Sequence, residues 1–200
     1  MLEHVPAWLG KVLKNVRAGH GKLAIVRLGS EDKLGHGNFT LSSPAFKDGE
    51  AIDPCFTADE EDAVAPPVEW TAAPDGAVEL ALIVEDPDAP MPEPLCHWLV
   101  WGLPPHKGKI LEGEIPALVG KNSYGNSEWL LPDPPTGHGP HDYVFQLFAL
   151  DTSLDLMPGA TRSDLVEAID GHVVASAVLT GRYARAEDDF FDEDDTDRDD

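Results

Sequence analysis

The chain has 200 residues, 42% of them apolar, which is enough for one folded domain with a sizeable core. Its formal net charge of −23 argues against nucleic acid or an anionic membrane as a partner, because both would repel it. No apolar run reaches about 18 residues, so we expect no stable membrane insertion. Two cysteines, Cys55 and Cys96, form neither a Cys-x-x-Cys pair nor a disulfide framework, so we expect a cytoplasmic protein.

Residues 1–20 are predicted to form an amphipathic helix. Its apolar residues recur at helical spacing: Val5, Trp8, Leu9, Val12, Leu13 and Val16. A helix this short is marginal alone, so its apolar face should pack on its own domain or form a homodimer contact. A helix lying on a membrane surface is a third reading, which the acidic chain opposes.

Residues 21–186 are predicted to form a β-sandwich domain. Short runs of strand-forming residues lie between loops rich in Gly and Pro, at 22–28, 38–43, 77–85, 96–103, 142–150 and 173–185. One helix is expected within residues 159–172, capped by Thr161 or Ser163 and ended by Gly171. The fold class is therefore mainly β, an antiparallel Greek-key-like sandwich with a few peripheral helices. The strands alternate poorly, as though both faces of a central sheet were covered.

Residues 187–200 are predicted to be a disordered acidic tail. They contain ten acidic residues and one arginine, so they cannot bury enough apolar surface to offset the entropy of ordering. A docking peptide that uses Phe190 and Phe191 is the alternative reading.

Polar residues cluster where the central strands begin and end. If 77–85 and 96–103 pair in antiparallel fashion, the end of one lies beside the start of the next. Asp86, Asp88 and His97 would then meet at one end of the sheet. The strand at 142–150 would add His141 and Tyr143 if it pairs in the same sense.

Several ordered motifs resemble the bacterial and archaeal branch of the phosphatidylethanolamine-binding proteins, also called Raf kinase inhibitor protein-like. They are LALIVEDPDAP, HWLVWGLP, PPTGHGPHDYVFQLFAL and GHVVASAVLTGRYAR, with FTLSSPAFKDGE and APPVEW upstream. The resemblance covers residues 38–185. It implies a β-sandwich with a small pocket that takes phosphate, acetate, phosphoethanolamine or phosphorylated side chains in relatives. It also implies a protein kinase or a serine protease as a protein partner, inhibited through surface contacts.

On this resemblance, Asp86 and Asp88 match the family's Asp-Pro-Asp pair, and His97 matches the histidine that opens the next strand. His141 and Tyr143 match the histidine and tyrosine of its Gly-x-His-Arg-Tyr segment. The five residues are the predicted ligand-binding site. We expect a carboxylate to keep His97 or His141 cationic, so that histidine and the tyrosine hydroxyl hold the anion. Asp86 is expected to fix His97 and to meet any proton or ammonium on the ligand, supported by Asp88.

Two positions depart from the family pattern. Asp142 stands where the family usually has arginine, which removes a positive charge beside the pocket. The segment NSEWLLPDPP precedes the two prolines, where the family is usually rich in glycine. A backbone anion nest that needs positive φ is therefore reshaped or absent.

Three alternatives compete with a small-ligand pocket. His138 and His141 with the aspartates and His97 form a donor set that suits zinc. A hydrolase could use Cys96 beside His97, although neighbours in a strand point to opposite faces. A kinase or protease inhibitor could act by surface contacts without any ligand. We expect a binding protein with no catalytic residue, no cofactor and no metal, and we interpret the three Gly-His-Gly tripeptides as incidental turns.

Overall fold

The computed structural model describes residues 19–185. It contains two short helices, α1 (Ala24–Leu28) and α2 (Arg162–Ile169). The strands are β1 (Leu41–Ser42), β2 (Val68–Trp70), β3 (Glu79–Asp86), β4 (Leu95–Leu103), β5 (Gly108–Ile110), β6 (His141–Leu150) and β7 (Val173–Tyr183). The predicted acidic tail and all but the last two residues of the predicted N-terminal helix, with its homodimer contact, lie outside the described residues.

The strands form two antiparallel sheets. The smaller sheet has the order β1-β2-β5, and the larger has the order β4-β3-β6-β7. The central strand β3 pairs with β4, where Asp86 lies opposite Leu95, and with β6, where Glu85 lies opposite Val144. The predicted mainly antiparallel β fold with few helices is confirmed.

Both faces of the larger sheet are covered. On one face, Leu82 and Phe145 belong to the core shared with the smaller sheet. On the other face, Ile83 and Leu99 belong to a second core with the two helices. Strand β3 is buried along its whole length, which explains its nearly continuous apolar sequence. Each fully buried aliphatic side chain contributes about 1.5–3 kcal/mol to this packing.

The strand predicted at residues 22–28 is wrong, because Ala24–Leu28 form helix α1. The amide of Ala24 donates to Glu85 Oε2 at 2.8 Å, and the amide of Ile25 donates to Gln146 Oε1 at 2.6 Å. These acceptors lie on β3 and β6, so the sheet satisfies the first free N–H groups of the helix. A segment this short has too few residues for its periodicity to separate helix from strand.

A buried ion pair ties the helices to the sheet. The Glu85 side chain is fully buried, and Arg162 Nε donates to its Oε1. Gln146 Nε2 donates to Glu85 Oε2 at 2.8 Å, and Arg162 Nη2 donates to the Lys22 carbonyl at 2.9 Å. Because Glu85 directly precedes Asp86, this cluster also fixes the end of β3.

Helix α2 matches the helix predicted within 159–172. Thr161 is its cap: the Thr161 hydroxyl accepts from the Asp164 amide, and Asp164 Oδ2 accepts from the Thr161 amide. The second predicted cap, Ser163, lies inside the helix. Gly171 follows with φ of +84°, the left-handed conformation that favours glycine after a helix.

In the part of the chain that the structure covers, no helix is both long enough and apolar enough to cross a bilayer. Cys55 and Cys96 are both free thiols. The cytoplasmic location inferred from the cysteines stays a prediction.

Candidate functional site

The end of β3 and the starts of β4 and β6 meet at one end of the larger sheet. Asp86 ends β3, His97 is the third residue of β4, and His141 begins β6. These three residues and Tyr143 line one cavity. The structure therefore brings four of the five predicted residues together. The fifth, Asp88, is fully buried and does not line the cavity.

Strand β4 carries an extra residue at His97. Trp98 lies opposite Val84, but Cys96 lies opposite Glu85, so His97 is the bulged position. A bulge of this kind re-aims side chains at a sheet end. His97 and Trp98 consequently both line the cavity, whereas Cys96 packs in the core beside the helices.

Asp86 organises the turn that follows β3. Its Oδ1 accepts from the amides of Asp88 at 2.7 Å and Ala89 at 3.0 Å. Its Oδ2 lies 2.7 Å from His141 Nδ1, and His141 Nε2 lies 2.6 Å from His138 Nδ1. Both ring nitrogens of His141 are therefore engaged, and this residue orients Asp86 instead of offering a free donor to the cavity.

Asp88 links His20, near the first described residue, to the same turn. Its Oδ1 lies 2.6 Å from His20 Nε2, and its Oδ2 accepts from the Asp142 amide at 2.8 Å. Beside it, the Gly19 amide donates to the Pro87 carbonyl at 3.2 Å. A Cβ at Gly19 would lie 2.6 Å from that carbonyl oxygen, so this close approach requires glycine.

His97 is a buried, neutral imidazole. Burial lowers its pKa below the usual 6.5, and this effect outweighs the opposing charge of Asp86. Its Nδ1 donates to the Leu130 carbonyl at 2.6 Å, so Nε2 carries a lone pair. Nε2 is buried and has no hydrogen-bond partner among the described residues. The lowered pKa argues against the cationic form for His97, and the same expectation for His141 stays a prediction. Asp86 contacts His141, so the expectation that Asp86 fixes His97 is wrong.

Two aromatic rings enclose His97. The Tyr143 ring packs edge-on with its centroid 5.0 Å from that of His97, and the Trp129 centroid lies 5.9 Å away. Burial, and then the nearby charge of Asp86, raises the pKa of the Tyr143 phenol well above its usual value. Tyr143 therefore keeps its proton and remains a hydrogen-bond donor.

The cavity has a volume of about 580 Å³. Its acidic lining residues are Asp86, Glu114, Glu128 and Asp133, and no Lys or Arg among residues 19–185 lines it. A cavity with this lining has a negative field, which favours ligands that are protonated over ligands that carry several negative charges.

The two departures from the family pattern have structural explanations. Asp142 accepts from Arg182 Nε at 2.9 Å, across the β6–β7 pair, and does not line the cavity. The segment that lacks glycine supplies two elements of the site, the Leu130 carbonyl and the Trp129 ring. The segment expected to have a reshaped or absent backbone anion nest thus supplies a fixed hydrogen-bond acceptor for His97.

The alternative chemistries are not assembled as predicted. Within the described residues, three metal-ligating atoms come within 4.8 Å of one another at His20, Asp88 and Asp142, and of these only Asp88 belongs to the predicted metal set. That group is explained by its own hydrogen bonds. Cys96 lies on the other face of the sheet from His97, and burial raises the pKa of its thiol.

Two histidines beside the site, His20 and His138, were not among the five predicted ligand-binding residues. The interpretation of the Gly-His-Gly tripeptides as incidental turns is wrong for His20, which contacts Asp88, and for His138, which is fully buried against His141. The spacing of His138 and His141 by three residues, in a loop that leads directly into a buried strand, was the available signal. His36 lies exposed in a turn, as expected.

The lowered pKa of His97 predicts acid-sensitive folding. Below the usual pKa of 6.5 the unfolded chain protonates this imidazole while the folded protein does not. As the pH drops below 6.5, the contribution of His97 should therefore lower the free energy of unfolding by up to about 1.4 kcal/mol per pH unit. In His97→Asn, urea unfolding measured from pH 7.5 to 5 should show a shallower slope.

The control is His172→Asn, since His172 is exposed and pairs with Asp151 at the surface. It should leave most of the wild-type slope in place. Equal slopes for wild type and His97→Asn would contradict the neutral state of His97.

Comparisons with known proteins agree with this architecture. The family model for Phosphatidylethanolamine-binding protein matches residues 42–184. A UPF0098 protein of Methanothermobacter thermautotrophicus is 40% identical over 152 residues, which cover 72% of this chain and 98% of the relative.

Two solved structures are similar as well. One is CT736 of Chlamydia trachomatis, a homologue of phosphatidylethanolamine-binding protein. It has a TM-score of 0.69 and 34% identity, over 74% of this chain and 97% of its own. Escherichia coli YbcL, at 24% identity, supports the fold alone, with a TM-score of 0.67 over 74% of this chain and 98% of its own. The family match, the identity to the archaeal relative and the shared fold together show that the chain belongs to the phosphatidylethanolamine-binding protein family.

Proposed function

We propose that this protein binds a small ligand through a phosphoryl or carboxyl group that carries a proton. The observation that supports this most directly is His97 Nε2, a buried acceptor without a partner among the described residues. A buried polar atom left unpaired costs about 1–3 kcal/mol, so a ligand that donates a hydrogen bond there is favoured.

The neighbouring groups complement such a ligand. The Tyr143 phenol, held protonated, can donate to one ligand oxygen while His97 accepts from the ligand's O–H. Asp86 and His141 hold the end of the sheet in place. Direct contact of Asp86, Asp88 or His141 with the ligand stays a prediction.

We further propose that the protein is not an enzyme. The hydrolase alternative needs an activated nucleophile beside His97, whereas Cys96 lies in the other core with its pKa raised by burial. Inhibition of a protein kinase or a serine protease, with or without a ligand, stays a prediction, as does the homodimer. The net charge of −23 continues to argue against nucleic acid as a partner.

The test is a calorimetric titration with methyl phosphate, phosphoethanolamine and acetate. Because a phosphate monoester loses its last proton with a pKa of about 6, affinity for methyl phosphate should fall about tenfold per pH unit above that value. Acetate needs a lower pH, since a carboxyl group has a pKa of about 4.3.

His97→Asn should weaken methyl phosphate at least tenfold at pH 6, because asparagine can keep a donor near Leu130 but lacks Nε2. His172→Asn is the matched control and should bind as wild type does. Affinity that rises with pH, or binding unaffected in His97→Asn, would rule out the proposed mode. Turnover of the phosphate ester would show that the protein is an enzyme.

A further inference from the structure

A second cavity lies between the end of β4, strand β5 and the loop at 114–118. Its volume is about 410 Å³, enough for a small organic molecule. Leu103, Ile110 and Leu118 line it, together with the rings of Trp70 and Trp101. None of the five ligand-binding residues predicted from the sequence lines this cavity. A molecule that occupies it therefore contacts mainly apolar and aromatic side chains.

Trp101 supplies a hydrogen-bond donor at the second cavity. The residue is 1% exposed, and its Nε1 has no hydrogen-bond partner in the described chain. The neighbouring Trp70 differs, because its Nε1 donates to the His106 carbonyl at 3.0 Å. Buried polar groups are rarely left unpaired, so the free donor of Trp101 indicates a ligand. Because an indole N–H can only donate, the ligand group that contacts it is an acceptor.

The charge around the second cavity is balanced, unlike the acidic lining of the first cavity at His97. Lys109 lines the second cavity and has no ion-pair partner among residues 19–185. Glu114 is the single carboxylate of the lining, and its Oε2 already accepts from the Leu111 amide at 2.7 Å. On a chain with a net charge of −23, one ammonium group beside a neutral donor suits a monoanion better than a dianion.

We propose that the second cavity is a further ligand site, which binds an organic carboxylate with an apolar body. The carboxylate accepts from Trp101 Nε1 and pairs with Lys109, and the apolar body packs against Trp70. Glu114 and Pro116 line both cavities, so their loop separates the two sites. The inference is independent of the proposed function, because the first cavity favours a protonated acid and the second favours an ionised one.

Two matched probes separate the acceptor from the charge. At pH 7.5, 4-phenylbutyrate carries an ionised carboxylate, and 4-phenylbutyramide keeps a carbonyl acceptor without the charge. In calorimetry at low ionic strength both should bind, and the carboxylate should bind severalfold more tightly because Lys109 attracts only the anion. Trp101→Phe keeps an aromatic ring but removes the N–H, so it should weaken 4-phenylbutyrate at least tenfold.

A charge-neutralising variant identifies the cation. Lys109→Gln should remove the advantage of 4-phenylbutyrate over 4-phenylbutyramide and leave the affinity for the amide unchanged. Lys107→Gln is the matched control, because Lys107 is exposed two residues earlier and does not line the cavity. It should preserve the ratio between the two probes. His97→Asn should bind 4-phenylbutyrate as wild type does, since His97 lines the first cavity only.

Indole ¹H–¹⁵N NMR signals show which cavity the probe occupies. Trp101 lines the second cavity, whereas Trp98 and Trp129 line the first. Saturating 4-phenylbutyrate at pH 7.5 should move the Nε1–H signal of Trp101, assigned with Trp101→Phe, downfield. The signals of Trp98 and Trp129 should move less.

The outcomes distinguish this inference from the proposed function. If the Trp101 signal stays in place, or if His97→Asn loses the probe while Trp101→Phe keeps it, the second cavity is not its site and the inference is wrong. If neither probe binds, the inference is wrong as well. The proposed function is unaffected by these results, because the titration with methyl phosphate tests it separately.

Discussion

Replacing Arg162 by methionine is expected to lower the free energy of unfolding by about 3–5 kcal/mol. Glu85 is fully buried, and Arg162 supplies its charged partner. Among residues 19–185, the variant leaves the buried carboxylate with the neutral donors Gln146 Nε2 and the Ala24 amide. Urea unfolding at pH 7 measures the loss, and Glu85→Gln combined with Arg162→Met should recover much of it.

The control is Arg182→Met, which removes a salt bridge of the same kind at the surface. The Arg182 side chain is 55% exposed and its partner Asp142 is 26% exposed, so this change should cost under about 1 kcal/mol. Equal losses for the two variants would contradict the role of Glu85 as a buried charge that anchors both helices.

Asp86→Asn is expected to abolish detectable methyl phosphate binding and to cost about 1.5–3 kcal/mol of stability. An amide cannot accept from His141 Nδ1 and also keep both amides of the following turn paired through its single oxygen. The change therefore disturbs both His141 and the turn at Asp88 and Ala89. Calorimetry and urea unfolding at pH 6 and 7 measure the two effects.

Asp75→Asn provides the comparison, because Asp75 is an exposed aspartate in a turn that does not line the cavity. It should bind methyl phosphate as wild type does, with unchanged stability. Full binding by Asp86→Asn would show that the turn and its histidine do not support the site.

The assembly of the site could be predicted because strand pairing has a simple geometry. The mostly apolar runs at 77–85, 96–103 and 142–150 identify three neighbouring strands of the larger sheet, and antiparallel order puts Asp86, His97 and His141 at one end. Turns and the cap of α2 could also be predicted, because both depend on residues that are close in sequence.

The features that could not be predicted depend on contacts distant in sequence. Helix α1 forms where Glu85 and Gln146 accept hydrogen bonds from its first amides. The sequence of residues 22–28 does not indicate these acceptors, because they lie on β3 and β6. His20 looks like a turn residue until the fold places it beside Asp88. The charge of His97 depends on how deeply its ring is buried and on the Leu130 carbonyl. The pattern of strand residues predicts neither of these features.

The most direct test of the account is side-chain ¹⁵N NMR of His97 during a titration with methyl phosphate at pH 6, assigned by comparison with His97→Asn. In the free protein we expect Nδ1 protonated, Nε2 unprotonated, and a pKa below 6.5. Saturating ligand should then move the Nε2 signal more than the Nδ1 signal. The proposed role of His97 would be contradicted if its pKa in the free protein were 6.5 or higher. It would also be contradicted if saturating ligand left the Nδ1 and Nε2 signals of His97 unchanged.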